Sequence, residues 1–311
     1  MQSFYSSVSL LFRWSGLTPL KQAVRQLQTL LNNADFQHLK QLVAQLPLAP
    51  LLRRQPRFVF KYLSPYIATN FDRTSRLTLL LHHYRFLQQH CGPAFFAAVA
   101  GHAILWRDER GPEVFTISIS YPQQIGFEAE LSLNFVLNDT VLQVVGFVIA
   151  PGHLLGTAEE PILLLSQVQG TRQAALLKHA TRALHDIPPA ILLVNAAYGL
   201  VAAWGIRRAA GVSSESQVSA GQGNYFNYTA FWQRLMGSSS GAGGTLLLPM
   251  PTPEKPITQI ASHHRGRNLR KRRYKQGIRE TVEQQARATF GLPPLAAGGL
   301  RSPEPLGGPK K

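Results

Sequence analysis

The amino-acid sequence predicts a mixed α/β (α+β) fold, in which a helical N-terminal region precedes a sheet with flanking helices. Three patterns support this prediction. Apolar residues recur every three or four positions through much of the first 100 residues, as on one face of a helix. From residue 114 apolar and polar residues alternate, as they do in strands. From residue 161 strand and helix patterns follow one another, which is typical of an α/β arrangement.

Two stretches of the N-terminal region have helical periodicity. In residues 17–48 leucines and valines recur at spacings of three and four until Pro47 stops the pattern. In residues 73–90 a stripe of leucines, with Tyr84 among them, indicates a second strong helix. We therefore expect a helical region at residues 1–100.

A β-hairpin is predicted at residues 127–150. Apolar residues occupy alternate positions from Phe127, and the positions between them carry Glu128, Glu130, Ser132 and Asn134. A turn signal at residues 138–139 precedes a returning strand. Residues 114–120 predict a strand before this hairpin. The almost continuous apolar run at residues 161–169 is typical of a strand buried on both faces.

Helices are predicted at residues 172–185, 190–204 and 227–235. Short strands are predicted at residues 206–214 and 245–250. The stretch 188–206 has no charged residue and is about as long as a membrane span requires. Two prolines at its start and Asn195 within it favour a buried core helix over a membrane span. These elements place the mixed α/β domain at residues 101–290.

Positive charge is concentrated near the C-terminus. The chain has a formal net charge of +16, and residues 260–311 alone carry 12 basic and 3 acidic residues. Such a segment favours phosphate-rich partners. We expect the basic segment to span residues 263–290 and residues 291–311, which have few large apolar side chains, to form a disordered tail.

The N-terminus and the cysteine content predict a location. The single cysteine, Cys91, cannot form an internal disulfide, which fits a reducing compartment. The first 16 residues lack a basic stretch followed by a long apolar one, so we expect no secretory signal. The sequence therefore predicts a cytoplasmic protein, with peripheral association at the inner membrane as a further expectation.

Seven segments stand out in order along the chain: "RLTLLLHHYRFL" at 76–87, "FEAELSLNFVL" at 127–137, "LLLSQVQG" at 163–170, "WGIRRAAGVSS" at 204–214, "YTAFWQRL" at 228–235, "LLLP" at 246–249 and "HHRGRNLRKRRY" at 263–274. As an ordered set they resemble the VirK/YbjX family of Gram-negative bacteria, also called domain of unknown function 535. The resemblance implies a role in virulence and in envelope responses to stress or cationic peptides, and no particular reaction. The sequence departs from the family at Met236, where glycine is usual, and in its Gly/Ser loop at 237–244.

A second, weaker resemblance is to the GNAT acyltransferase fold. In that fold an antiparallel meander leads to a central strand. A turn of pattern Gln/Arg-x-x-Gly-x-Gly/Ala then cradles a coenzyme pyrophosphate at the next helix. Gln167 and Gly170 match the pattern, whereas Arg172 stands where a small residue is usual. The resemblance implies a GNAT-like sheet and coenzyme A or an acyl carrier thioester as the cofactor.

The cofactor-binding residues predicted on this basis are Gln167, Gln169, Gly170, Thr171 and Arg172. Unpaired N–H groups at a helix N-terminus carry partial positive charge and bind phosphate, and an arginine adds charge. The alternative is that the glycine only ends a strand and the threonine caps a helix.

The GNAT resemblance leaves catalysis open. Where that fold often has a tyrosine as general acid, Trp232 stands here, and an indole N–H cannot deliver a proton in this way. Tyr228 and Tyr225 are the candidate substitutes. Glu128 and Glu130 are the candidate catalytic residues, because a partly buried carboxylate can act as a general base. The alternative is that both lie on the wet face of a half-exposed strand.

No metal site is expected. His82 and His83 are adjacent and diverge on a helix, so they cannot easily chelate one ion. A second histidine pair at residues 263–264 lies among arginines, which repel cations. The sequence also lacks the Gly-x-Ser-x-Gly turn of α/β hydrolases.

The cluster of basic residues between Arg265 and Arg273 is the candidate site for an anionic partner. This partner is either a membrane surface or a protein, with nucleic acid as a less favoured partner. The alternative is a solvated basic helix. The sequence thus supports two main hypotheses, a possible acyltransferase or acyl-carrier-binding protein at the cytoplasmic membrane face, and a non-enzymatic accessory protein that binds anionic lipid or a protein. The candidate residues are Arg265, Arg267, Arg270, Lys271, Arg272 and Arg273.

Overall fold

The computed structural model describes residues 33–55, 58–122, 127–158, 160–171, 173–220, 226–238 and 241–293. The fold is mixed α/β, as predicted, with one seven-stranded sheet and flanking helices. The first half of the helix predicted at residues 17–48, Arg172 and most of the tail predicted at residues 291–311 lie outside the described residues.

The described α-helices and strands alternate irregularly along the chain. The helices are α1 (Asn33–Ala44), α2 (Ala49–Arg54), α3 (Arg73–His90), α4 (Pro93–Ala100), α5 (Ala174–Ala183), α6 (Pro189–Ala202), α7 (Tyr228–Arg234) and α8 (Ser262–Phe290). The strands are β1 (Ile104–Arg110), β2 (Glu113–Ser120), β3 (Leu131–Leu137), β4 (Thr140–Ala150), β5 (Ile162–Gly170), β6 (Ala209–Val212) and β7 (Thr245–Leu248). A 3-10 helix, Phe58–Leu63, precedes α3.

The strands follow sequence order across the sheet. Strands β1 to β5 form an antiparallel meander, β5 and β6 are parallel, and β7 returns antiparallel to β6. The parallel pairing is short, because it runs only from the pair Leu163–Ala209 to the pair Leu165–Gly211. The second half of β5 therefore extends beyond its parallel neighbour.

One hydrophobic core joins the helices to the sheet, and it extends from Phe36 in α1 to Phe290 at the end of α8. Helix α6 is buried over almost its whole length, so the prediction of a core helix is confirmed. Helices α6 and α8 approach closely at Gly199, where a Cβ atom would lie 2.2 Å from the Arg279 carbonyl oxygen. Among the described helices, none is long and apolar enough to cross a bilayer.

The boundaries of two predicted elements differ from the structure. The strand predicted from residue 127 begins at Leu131, because residues 127–130 form a turn in which the Phe127 carbonyl accepts a hydrogen bond from the Ile67 N–H. The helix predicted to reach residue 185 ends at Ala183, because His185 and Asp186 adopt positive φ angles of 59° and 54°.

Strand β1 was missing from the prediction, because its second half consists of charged residues that lie at the edge of the sheet. The basic segment predicted at residues 263–290 is the single long helix α8. Met236 has a φ of 63°, a left-handed conformation that favours glycine. This conformation agrees with the glycine that the family resemblance implies at this position.

Candidate functional site

A polar pocket lies on one face of the sheet, where β3, β4 and β5 run side by side. Its volume is about 210 Å³. Hydroxyl and carboxamide side chains make up its polar wall, and none of the described residues that line it is charged. The lining consists of Pro122, Ser132, Asn134, Val141, Leu142, Gln143, Val144, Gln167, Gln169, Gly170 and Thr171.

Strand register places the polar side chains of this pocket together. One row across the sheet is Ser132, Gly146 and Gln167. The next row is Asn134 on β3, Val144 on β4 and Gln169 on β5. Side chains in such rows project to the same face. Gly146 has to lack a side chain in this row, since a Cβ atom there would lie 2.7 Å from the Ala129 Cβ atom and 3.0 Å from the Gln167 Oε1 atom.

Hydrogen bonds within the pocket leave one buried hydroxyl unused. Gln167 donates through Nε2 to the Gln169 Oε1 atom at 3.0 Å, and Asn134 donates through Nδ2 to the Ser120 Oγ atom at 2.9 Å. Ser132 is 2% exposed, and its Oγ atom has no hydrogen-bond partner in the described part of the chain. A buried hydroxyl without a partner costs about 1–3 kcal/mol. Ser132 therefore offers a donor and an acceptor to a ligand.

Four of the five predicted cofactor residues, Gln167, Gln169, Gly170 and Thr171, line this pocket. The fifth, Arg172, lies outside the described residues. The pocket adds Ser132 and Asn134, which the sequence placed on the polar side of a strand without linking them to the predicted cofactor residues. Strand β5 thus brings its C-terminal end to a polar cavity.

The backbone after β5 is partly engaged within the protein. The Thr171 N–H donates to the Leu142 carbonyl oxygen at 2.9 Å, and the Gln173 N–H donates to the Thr171 Oγ1 atom at 3.3 Å. Helix α5 begins one residue later without a side-chain cap. Two N–H groups that a phosphate cradle would use are therefore occupied, and Thr171 stabilises the turn.

Where β5 extends beyond its parallel neighbour β6, side chains form hydrogen bonds to its free backbone groups. The Gln217 Nε2 atom donates to the Ser166 carbonyl oxygen at 2.9 Å. The Tyr228 hydroxyl accepts from the Val168 N–H at 3.1 Å and donates to the Val168 carbonyl oxygen at 3.0 Å. Trp232 donates to the Val212 carbonyl oxygen at 2.8 Å. Tyr228, a candidate substitute for the general acid, and Trp232 thus bind the backbone of β5 and β6, and Tyr225, the other candidate, lies outside the described residues.

Glu128 and Glu130 are buried, at 1% and 0% exposure, so neither lies on a wet strand face. Neither lines the polar pocket. The Glu128 Oε1 atom accepts from the Ser219 N–H at 2.9 Å, and its backbone carbonyl accepts from the Ser166 hydroxyl. Glu128 therefore anchors the segment after β6 against the turn before β3.

Glu130 accepts three hydrogen bonds in the core. Lys61 donates through Nζ to its Oε1 atom at 2.7 Å, Tyr66 donates to the same oxygen at 2.8 Å, and Tyr84 donates to Oε2. These four residues form what we call the Glu130 cluster. Burial raises the pKa values of Tyr66 and Tyr84 well above their ordinary range, so both hydroxyls remain protonated donors. Burial also lowers the pKa of Lys61, against the attraction of Glu130.

His83 packs beside the Glu130 cluster as a neutral side chain. It is fully buried, and its Nδ1 atom accepts from the Ile149 N–H at 3.1 Å. This bond places the proton on Nε2. Burial lowers the pKa of His83 well below its ordinary value. Among the described residues, no group of three or more His, Cys, Asp or Glu side chains is arranged to hold a metal ion.

The basic residues of α8 fall into two groups. Arg267 pairs with Asp186 at 2.7 Å, and Lys275 and Arg272 pair with Glu254 at 2.5 and 3.5 Å. Two further residues bond backbone carbonyls, since Lys271 donates to Asp186 and Arg265 donates to Ile260.

The second group is Arg270 and Arg273. Both are exposed, and neither forms a hydrogen bond or ion pair with any described residue. Leu269, 39% exposed, lies beside Arg270 in the sequence. The structure therefore separates cations that fasten α8 to the fold from cations that face solvent.

These features define a class of protein, a mixed α/β fold with a neutral polar pocket on a meander sheet that contains one parallel pair. The family model described as "Protein of unknown function (DUF535)" matches residues 20–288. The chain belongs to this family, the VirK/YbjX family indicated by its sequence segments. Comparisons with curated proteins and with solved structures gave no match.

Proposed function

We propose that the protein binds the pantetheine arm of coenzyme A, or of an acyl carrier thioester, in the polar pocket. The observation that carries this proposal is the convergence of Gln167, Gln169, Gly170 and Thr171 on one cavity of about 210 Å³. The Ser132 hydroxyl of the lining supports it, because a ligand would supply the hydrogen-bond partner that this buried group lacks among the described residues.

The chemistry of the pocket suits a neutral ligand. A pantetheine arm carries two amides and a hydroxyl and has no charge, and the described residues of the lining offer carboxamides and hydroxyls and no charged side chain. A few convergent polar groups in a concave site are typical of small-molecule binding. The GNAT resemblance agrees, since it assigns the coenzyme to the end of the strand that corresponds to β5.

Binding is better supported than acyl transfer. A general base must reach the reacting group, and Glu128 and Glu130 are both hydrogen-bonded in the interior rather than in the pocket lining. We therefore propose a carrier-binding protein that acts at the cytoplasmic membrane face. The VirK/YbjX family implies that it does so in envelope stress or virulence.

Calorimetry with coenzyme A and with pantetheine tests this function. Gln169 lines the pocket and is exposed, so Gln169→Leu removes a hydrogen-bonding group from the lining, together with the bond that it accepts from Gln167. We expect it to weaken binding about tenfold, the effect of one lost hydrogen bond to a ligand. The matched control is Gln233→Leu, at an exposed position of helix α7, which should leave binding unchanged. Absence of binding by the wild type, or equal loss in both variants, rejects the proposal.

A second candidate function is binding of an anionic membrane surface or acidic protein by α8. It is favoured by Arg270 and Arg273, which face solvent beside Leu269. Flotation with vesicles that contain anionic lipid tests it. Arg270→Glu with Arg273→Glu should abolish flotation, because each reversal replaces attraction by repulsion. Salt-dependent retention of DNA instead of vesicles would favour the nucleic-acid alternative.

A further inference from the structure

An uncommon turn lies between α5 and α6. Two successive residues that are not glycine, His185 and Asp186, have positive φ angles of 59° and 54°. Single residues of these types visit the left-handed region, and two in a row are unusual. Such backbone conformations persist only where the surroundings impose them, and they cluster at functional sites.

Helix α8 imposes this conformation. The Arg267 side chain donates to the Asp186 carboxylate at 2.7 Å, and the Lys271 ammonium donates to the Asp186 carbonyl oxygen at 3.0 Å. From the other side, the Arg110 guanidinium donates to the Ala183 carbonyl oxygen at the end of α5. The turn is thus held by cations from β1 and α8.

Two further arginines flank this turn without a fixed partner. Arg182 is in the last turn of α5, and Arg270 follows Arg267 by three residues, which places the two on neighbouring positions of one helix side. Both are exposed, and neither forms a hydrogen bond or ion pair within the part of the chain that the structure describes. We call Arg182, His185, Asp186, Arg267, Arg270 and Lys271 the α5–α8 corner.

The corner has a positive field. The hydrogen bond from Arg267 lowers the pKa of Asp186, and the charges of Lys271 and Arg182 lower it further. Partial burial lowers the pKa of His185, and the charges of Arg110 and Arg270 add to this effect. The corner contains four basic side chains and one carboxylate, and the neighbouring Asp108 is paired with Arg110, so a net charge of about +3 remains for an external anion.

We infer that the α5–α8 corner binds a phosphate monoester, with Arg182 and Arg270 as the groups that hold its oxygens. Guanidinium groups suit this role, because their planar N–H donors match phosphate oxygens in pairs. Arg267 and Lys271 remain on Asp186 and keep the turn in place. The inference rests on the second candidate function, the anionic partner of α8, and specifies its site and chemistry. A lipid headgroup and a free phosphate ester present the same group.

Titration calorimetry with glycerol 3-phosphate measures this site in the full-length protein. We expect Arg182→Gln with Arg270→Gln to weaken binding at least about tenfold, because two charge-assisted hydrogen bonds are lost. The matched control, Arg207→Gln with Arg234→Gln, removes two exposed arginines elsewhere and should change affinity less than about twofold. Equal losses in the two variants, or no binding by the wild type, would overturn the inference.

A vesicle arm identifies the source of the phosphate. Flotation with phosphatidylcholine vesicles, with and without phosphatidic acid, is measured for the same variants. Loss of flotation on phosphatidic acid in the corner variant alone supports a lipid headgroup as the source. If the protein binds glycerol 3-phosphate but does not float with the vesicles, the α5–α8 corner binds a free phosphate ester, and a membrane partner is rejected. Flotation that survives in the corner variant while glycerol 3-phosphate does not bind rejects the corner, and leaves the second candidate function intact.

Discussion

The buried Glu130 cluster predicts a large and specific loss of stability when its charges are separated. Lys61 and Glu130 are 2% and 0% exposed, and their Nζ and Oε1 atoms lie 2.7 Å apart. Glu130→Gln removes the charge and keeps one acceptor oxygen, for Tyr66 or for Tyr84, while the other oxygen is replaced by an amide N–H₂ donor. The ammonium of Lys61 is then left in the core without its counter-ion.

The expected loss is about 3–5 kcal/mol, the range found when one partner of a buried ion pair is removed. This is a large part of a total stability of about 5–15 kcal/mol. The loss should shrink as pH rises toward 10. Burial lowers the pKa of Lys61 in the fold and Glu130 raises it, so without Glu130 the folded protein releases this proton more readily than the unfolded chain.

Urea unfolding at pH 7, followed by circular dichroism, checks this in Lys61→Met, Glu130→Gln and the double variant. The double variant should lose at least about 2 kcal/mol less unfolding free energy than the sum of the two single losses, because it leaves no unpaired charge. Additivity to within about 0.5 kcal/mol would refute the reasoning.

Three other predictions concern the pocket, the strand edge and His83. Ser132→Ala should leave stability unchanged or raise it, since it removes an unpaired hydroxyl, and should weaken pantetheine binding in calorimetry. Tyr228→Phe should lower the unfolding free energy by about 1–3 kcal/mol, because it leaves the Val168 N–H and carbonyl without their partner; a change below 0.5 kcal/mol, as at an ordinary surface site, contradicts this. Because the pKa of His83 is lowered, stability should fall as pH drops below about 6.5, where the unfolded chain binds the proton that the fold excludes. In His83→Asn, which can keep the bond from Ile149, this slope should flatten.

The sequence predicted those strands whose residues alternate between apolar and polar or are almost all apolar. The alternation at residues 127–150 and the apolar run at residues 161–169 correspond to β3, β4 and β5, since burial on one or both faces dictates the residue types. Strand β1 escaped prediction because the edge of a sheet tolerates the charged residues that make up its second half.

The candidate site was predictable only where it is contiguous in sequence. Gln167 to Thr171 follow one another at the end of β5, whereas Ser132 joins them through strand pairing. The wet-face alternative for Glu130 is wrong, because its partners Lys61 and Tyr84 come from helices about 50–70 residues away in the chain. Tertiary contacts of this separation leave no periodic signal.

The two halves of helix α8 are attached to the rest of the protein by different kinds of contact. At about 1.5 Å per residue it is a rod of about 43 Å. Its C-terminal half is clamped in the core by Ile278 and Phe290, and by the backbone contact at Gly199. Its N-terminal half is held to the fold by ion pairs at Asp186 and Glu254, which salt weakens, and by Tyr274, which donates to the Asp108 Oδ2 atom at 2.8 Å. Raising the ionic strength should therefore loosen the contacts of the N-terminal half while the C-terminal half keeps its position.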